Sequence, residues 1–431
     1  MNINNVLKYI NSLSINAREH GPDYMQEILK LMGNPHENQK YIHIAGTNGK
    51  GSTVNYISNI LIESGFKTGV YTSPHIDRFM ERMKINNEEI TEDEWVEIAL
   101  YVKGKAEILI ESGRKAPSIF QFLTAMAFEF FRIKECDIIV LETGMGGATD
   151  PTNIINSTLI SVITKIGIDH VSYLGSSLEG IAIEKAGIIK QGANVVLYPQ
   201  DSKVESIINE FALNINAHVD IPNFDAIKIL EQDIEKQIFS YGNYNNLEIH
   251  MFGKHQIENA TLAVTVADVL KDKGYNITEQ AIKVGLKNTK WPGRSEVLSK
   301  EPIFILDGAH NEDGLETLVT SLKAFFKNRR IIFIFGAHTN KDYDSMLKIV
   351  APIAKMFITF TPNYHNGLCG HELATRASKY CSNVIGHVDV EDAITTSLKV
   401  AQKNDVICVI GSLFCIKEVR DYFKCGNEIH N

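Results

Sequence analysis

The sequence predicts an α/β protein: a P-loop-containing, mostly parallel, doubly wound sheet domain followed by a smaller Rossmann-like α/β domain. Three observations carry that prediction. Short runs rich in Val and Ile recur along the 431 residues, each followed by a Gly-containing turn and a stretch of helical spacing, the alternation that builds parallel sheets clothed in helices. The first of those runs leads into GTNGKGS (46–52), a glycine-rich turn that opens a helix-like stretch. The alternation lapses around LKNTKWPGRSEVLS (286–299), where one of two tryptophans stands beside a Pro-Gly pair, and then resumes. The boundary is placed there, giving domains 1–292 and 293–431, because 431 residues with 44% hydrophobic content exceed one ordinary core.

The strands expected in the first domain are YIHIAG (41–46), KTGVYTS (67–73), CDIIVLET (136–143), STLISVITKI (157–166) and NVVLYP (194–199). Each is rich in β-branched residues and bounded by turn formers. Two helix-like segments, TEDEWVEIALYVKGKAEILIESG and PSIFQFLTAMAFEFFRIK, separate the second strand from the third. A less regular stretch around 200–250 gives way to a helix, HQIENATLAVTVADVLKDKG. Past the boundary the strands expected are PIFILDGAH, RIIFIFGA, MFITFT, NVIGHV and DVICVIGS.

Composition excludes several functions. Forty-three basic against fifty-two acidic residues leave a net charge of −9, and no Lys/Arg block forms a phosphate-tracking stripe, so no nucleic-acid partner is expected. The opening MNINNVLKYINSLSINAREHG lacks the basic-then-apolar order of a leader, and no uncharged apolar run is long enough to span a bilayer. A cytoplasmic protein without membrane contact is expected. Cys136, Cys369, Cys381, Cys408, Cys415 and Cys425 form no C-x-x-C pair and read as reduced, small core residues rather than a metal or redox site.

Lys50 stands where a strand turns into a helix, the place where backbone N–H groups and the positive end of the helix dipole converge on an anion. The spacing departs from G-x-x-x-x-G-K-[ST], since Gly46 lies three residues before Gly49 and Gly51 intervenes before Ser52. Polyphosphate binding is the functional reading, and a plain glycine-rich turn is the alternative. In DIIVLETGMGG an apolar strand ends at Glu142, followed by Gly144, Gly146 and Gly147, which suits a metal-binding acid beside a phosphate loop; a solvated strand-end carboxylate is the bland alternative. Ser73 closes another strand, and Asp169 and His170 follow a fourth. Loops after parallel strands open on one sheet edge, so Ser73, Glu142 and His170 are expected to converge on Mg²⁺ near Lys50.

The segments LMGNPHENQKYIHIAGTNGKGS, YTSPHIDRFMERMKIN, FLTAMAF, LETGMGG, IGIDHVSYLG, IAIEKAGIIK, GKHQIENATLA, WPGRSEVL and LDGAHNEDG follow one another in this order. Together they resemble the folylpolyglutamate synthases and bifunctional dihydrofolate synthases of the Mur ligase superfamily, and GTNGKGS in place of GTNGKT marks the folate branch. The resemblance implies ATP- and Mg²⁺-dependent joining of L-glutamate to a folate-type carboxylate through an acyl phosphate, in a monomer. It implies that Gly46, Thr47, Asn48, Gly49, Lys50, Gly51 and Ser52 bind ATP, the last four at its phosphates, and that Asn259 faces the adenine. Arg294, Asp307 and His310 would reach the nucleotide from the second domain. Ser73, Glu142 and His170 would hold the metal. Lys185 matches the lysine that the family carbamylates into a further metal ligand, and with Lys50 and His170 it completes the catalytic set. His75, Arg82, Ser118, Phe120, Gln121 and Asp150 would contact the acceptor.

Two segments depart from the family pattern. Ser118-Ile119-Phe120-Gln121 stands for T-Y-F-E, and GGATDPTN stands for G-G-R-L-D-A-T-N, so that Gln121, Ala148 and Pro151 replace an acid, an arginine and an alanine. Lys341 and Asp342 resemble part of a D-K-D segment whose first acid is Asn340 here. The leading reading is a folylpolyglutamate synthase, with or without the dihydrofolate synthase step. The competitors are a Mur-like ligase acting on another carboxylate and a nucleotide-binding regulatory protein that no longer ligates.

Overall fold

The computed structural model describes residues 2–14, 23–169, 173, 175–327, 329–339, 341–364 and 366–426. The chain gathers into two compact units, Met1–Asp225 with Asn259–Asn288, and Ala226–Glu258 with Thr289–Asn431. The segment Ala226–Glu258 is thus counted with the second unit, although the sequence reading keeps everything up to 292 in the first domain. The α/β class expected from the sequence is the one that forms.

The first unit is built on strands β1 (Tyr41–Ala45), β2 (Thr68–Tyr71), β3 (Met83–Ile85), β4 (Glu88–Glu89), β5 (Ile138–Glu142), β6 (Ile160–Ile163), β7 (Asn194–Leu197) and β8 (His218–Asp220). They form one sheet in the order β4-β3-β2-β5-β1-β6-β7-β8, parallel from β2 through β8. β1, β2, β5 and β6 are buried at every position, as strands covered on both faces must be, which explains their nearly unbroken apolar character. One face carries the helices Glu92–Glu111 and Ile119–Ile133 over a core that includes Trp95, Phe122, Phe128 and Phe131. Elsewhere Leu178–Ala186 and Ser202–Asn214 pack with Ile163, Val195 and Leu197.

β3 and β4 were not expected from the sequence, since they are only three and two residues long and β4 is two glutamates. They pair through a two-residue turn in which Asn86 and Asn87 both take left-handed φ, 50° and 69°, the backbone that a tight hairpin of matching twist requires. β1 lies between β5 and β6, and the chain leaves it in one direction toward β2 and later returns on the other side to β6. Such a switch point opens a crevice at the carboxyl ends of the strands. GTNGKGS, Thr143 and Thr164 all follow strands that end there.

The second unit holds a three-stranded antiparallel sheet, β9 (Lys228–Gln232), β10 (Gln237–Tyr241) and β11 (Tyr244–Ile249). Its larger sheet contains β12 (Glu296–Lys300), β13 (Ile303–Leu306), β14 (Ile331–Phe335), β15 (Ala354–Thr359), β16 (Val384–Gly386) and β17 (Val406–Ile410), in the order β12-β13-β17-β14-β15-β16. All five expected strands form and run parallel; β12, which the sequence reading left as the boundary, adds an antiparallel edge. Cys408 and Cys415 are buried, Cys136 and Cys381 half-buried and Cys369 exposed, all of them free thiols; Cys369 therefore departs from the core role expected of it. Among the described residues no helix is long and apolar enough to cross a membrane.

Candidate active site

The loop after β1 is shaped by what cannot fit around it. A Cβ on Gly46 would lie 1.8 Å from Thr164 Oγ1, so only glycine passes there. Gly49, at φ 88°, caps the helix Lys50–Glu63 in the left-handed conformation, and a Cβ on it would meet Asn259 Oδ1 at 2.6 Å. Asn259 thus sits against the loop. Thr47 N and Asn48 N donate to Lys165 O at 2.9 and 3.1 Å, and Thr47 Oγ1 donates to Gly167 O at 2.9 Å. These bonds tie the loop to the segment leaving β6, so Thr47 and Asn48 shape the loop. Lys50, Gly51 and Ser52 open the helix, where N–H groups have no partner within the helix itself.

Lys50 Nζ donates to Gly46 O at 3.0 Å and to Thr47 O at 3.3 Å. Lys185, from the helix Leu178–Ala186, donates to the same Gly46 carbonyl at 2.7 Å and is 2% exposed. Two ammonium groups on one oxygen repel. Burial and the nearby Lys50 bring the Lys185 pKa down to about 7, against the opposing pull of Asp169, Asp150 and Glu184. The neutral amine this favours is the form that reacts with CO₂ to give a carbamate. The helix is held close to the loop after β5, because Ala148 N donates to Glu184 O at 2.7 Å and a Cβ on Gly147 would lie 2.5 Å from that carbonyl.

Glu142 ends β5 buried, and Ser73 N donates to its Oε2 at 3.2 Å. The structure therefore brings these two expected metal ligands together. The expectation for His170 lies outside the described residues, and among the described residues no group of three His, Cys, Asp or Glu is placed to hold a metal ion.

On the acceptor side, Arg82 is buried and donates through Nε to His75 Nδ1 at 3.0 Å. Burial and this guanidinium hold His75 neutral, with its pKa lowered to about 3. Phe120 covers Gly144, where a Cβ would come within 2.5 Å of the ring, and its ring centroid lies 6.0 Å from that of Tyr71. Ser118 and Gln121 are turned toward each other. Gln121 N donates to Ser118 Oγ at 3.2 Å and Ser118 N donates to Gln121 Oε1 at 3.0 Å, a capping box for the helix Ile119–Ile133. Asp150 is buried, accepting from Met145 N at 2.9 Å and from Thr152 N at 3.0 Å.

In the second unit Arg294, Asp307 and His310 come together around one turn. Asp307 accepts from Ser295 N and Ala309 N, both at 2.8 Å. His310 Nδ1 donates to Gly308 O at 2.8 Å, and a Cβ on Gly308 would meet Arg294 Nη1 at 3.2 Å. Asp342 caps the helix Tyr343–Val350, accepting from Ser345 N at 3.0 Å. The sequence reading missed His338, which donates from Nδ1 to Asn366 Oδ1 at 2.9 Å and lies 2.8 Å from Ser412 Oγ through Nε2. It also missed His43 and Thr152, described below. Its one signal for His43 was that the residue stands inside the strand leading to the glycine loop.

Residues 44–267 match the Mur ligase middle domain, and residues 293–413 match the Mur ligase glutamate ligase domain. A dihydrofolate synthase/folylpolyglutamate synthase of Bacillus subtilis is 33% identical over 93% of this chain and 94% of its own length. The chain belongs to the folylpolyglutamate/dihydrofolate synthase family of Mur ligases. Among solved structures of the family, the Mycobacterium tuberculosis folylpolyglutamate synthase complexed with ADP superposes with a TM-score of 0.89, at 28% identity and 98% coverage of both chains. A folylpolyglutamate synthase–AMPPCP–folate complex gives 0.85 at 30% identity, covering 97% of this chain and 99% of the other.

Proposed function

We propose that this protein joins L-glutamate to the carboxylate of a folate-type acceptor at the expense of ATP, passing through an acyl phosphate. The observation that carries the reading is the meeting of Lys50 and Lys185 on the Gly46 carbonyl at the start of a helix. The Lys50 ammonium at the N-terminus of a helix suits a polyphosphate. ATP is supported by the ADP and AMPPCP complexes of the two relatives, and the folate acceptor by the second of them. The acceptor carboxylate takes the γ-phosphoryl group, a step that needs positioning and charge neutralisation rather than a protein nucleophile. Lys50 supplies positive charge, and the glutamate amine then displaces phosphate from the acyl group.

The donors present fit Mg²⁺, since the Glu142 carboxylate and the Ser73 hydroxyl are hard oxygen groups on hydrogen-bonded residues, and that ion completes its shell with water and phosphate oxygens. When bound it would neutralise developing charge on the phosphate. His170 and a carbamylated Lys185 are the further ligands proposed, with Asn259 proposed to hold the nucleotide. His75, Arg82, Phe120 and Asp150 are proposed to line the acceptor site, and Ser118 and Gln121 to shape it by fixing the start of the helix that carries Phe120. The enzyme is proposed to act as a cytoplasmic monomer.

The deciding experiment measures phosphate release with tetrahydrofolate, dihydropteroate and unrelated carboxylic acids, each with glutamate and ATP. Release with a pteridine is expected. Release only with a non-pteridine acid would assign a different acceptor, and no ADP formation with any of them would reject ligation.

A further inference from the structure

We propose that His43 and Thr152 form a one-way hydrogen-bond relay that holds Asp150 as a pure hydrogen-bond acceptor, so that the site favours an acceptor ring edge presenting N–H donors. The inference rests on the placement of Asp150 at the acceptor site proposed above. His43 and Thr152 are positioning residues in it, acting through the aspartate.

His43 lies on β1, fully buried, with Nε2 2.9 Å from Thr152 Oγ1. Thr152 Oγ1 is 2.5 Å from Asp150 Oδ1, and Thr152 N donates to the same oxygen at 3.0 Å. The other carboxylate oxygen, Oδ2, takes Met145 N at 2.9 Å. An ionised carboxylate has no proton to give, so the single hydroxyl proton of Thr152 points to Oδ1. A lone pair of Thr152 then faces His43, and Nε2 must carry the imidazole proton. Nδ1 of His43 has no hydrogen-bond partner, which agrees with this tautomer. The opposite tautomer would leave a buried N–H without an acceptor, the rarer kind of defect.

The surroundings keep the direction fixed. Burial and the nearby Lys190 ammonium disfavour the imidazolium, bringing the His43 pKa down to about 3. Burial raises the Asp150 carboxyl above its ordinary value, and the donors from Met145, Thr152 and Gly144 offset only part of that rise. Lys185 and Tyr71 are the other titratable groups that feel its charge. Without the His43 donor, the Thr152 hydroxyl is free to turn away, and the buried carboxyl gains a proton more readily. A protonated Asp150 would no longer demand a donor from its ligand.

The test compares His43→Leu, His43→Gln, Thr152→Val and Asp150→Ala in the full chain. KM for the pteridine, ATP and glutamate, kcat and thermal unfolding are measured for each. A pteridine lacking its exocyclic amino group is compared with the parent acceptor. His43→Leu and Thr152→Val are expected to raise the acceptor KM roughly tenfold or more, the range for losing a bond that supports a charged group, with the KM for ATP and glutamate unchanged. Preference for the amino-bearing ring should shrink toward that of Asp150→Ala, and His43→Gln, which keeps a donor at the Nε2 position, should restore it. Nitrogen NMR of the wild-type protein, with His43 assigned by its loss in His43→Gln, should show a proton on Nε2 at neutral pH and requires no altered protein to be active. A proton on Nδ1, an imidazolium, an unchanged acceptor KM in a folded Thr152→Val, or failure of His43→Gln to restore a lost preference would each overturn the relay. An unchanged acceptor KM in Asp150→Ala would instead overturn the acceptor-site assignment, whatever the state of His43.

Discussion

Lys185 and Lys50 share the Gly46 carbonyl but differ in exposure. Lys50 lies half-exposed at a helix start, so its side chain carries little packing. Lys50→Ala should therefore abolish ATP binding and turnover with little change in unfolding temperature; unchanged nucleotide affinity and turnover would remove the loop from the site. Lys185→Ala should lose activity and recover part of it in small carboxylates such as formate, which can stand in for a carbamate. Full activity without any addition would show that Lys185 is dispensable. His43 gives a pH prediction. Its folded pKa, about 3, lies below the ordinary 6.5, so between those values the unfolded chain holds the extra proton and stability falls as pH drops from about 6.5 toward 3. Denaturant unfolding across that window should show a slope that is shallower in His43→Gln by about one proton. Lys50 and Glu142 could be singled out because each sits in a local motif whose residue types suggest a chemistry, whereas Lys185 reads locally as an ordinary helix lysine and was singled out only by the family resemblance. The bond from His43 to Thr152 was not legible, because its partners stand 109 positions apart and nothing local marks either as polar machinery.

Caps and close approaches explain at the level of elements what the sequence left in doubt. S-x-x-Q at 118–121 forms a capping box, and T-x-x-E has the spacing of one, so Gln121 fixes the start of its helix where an acid is usual. Pro151 takes the first position of the short helix Pro151–Ile154, with Asp150 as its N-cap, the place where proline is tolerated. Both departures thus keep the local backbone. Ser118→Ala should cost about 1 kcal/mol of stability, read by denaturant unfolding; a raised acceptor KM without loss of stability would instead assign the hydroxyl to direct substrate contact. Gly147 approaches the helix of Lys185 so closely that a Cβ would meet Glu184 O and Lys185 Cα at 2.5 and 2.9 Å. Gly147→Ala should cost about 1–3 kcal/mol and lower turnover, because backbone rather than a flexible side chain must yield. The long parallel strands were readable from their apolar runs. The hairpin of β3 and β4 escaped, because a short strand ending in two glutamates carries no burial pattern.

Across the whole molecule, the two α/β sheets were legible from alternation alone, while the membership of Ala226–Glu258 in the second unit was not, because packing of Ile234 and Phe252 against a core formed by residues after 303 leaves no local trace. The helix Glu279–Asn288 belongs to the first unit and packs so tightly that a Cβ on Gly285 would lie 2.7 Å from Ile60 on the helix that starts at Lys50. A chain ending at Asp225 should accordingly unfold at lower denaturant than one ending at Asn288; equal midpoints would show that this helix adds nothing. The polypeptide passes between the units after Asp225, after Glu258 and after Asn288. On the ribosome, the helix that starts at Lys50 therefore waits for its last neighbour until most of the message has been read, and the strands β9 to β11 emerge before the rest of their own unit exists. Synthesis order and assembly order are interleaved, so a nascent chain stalled midway holds neither half in finished form.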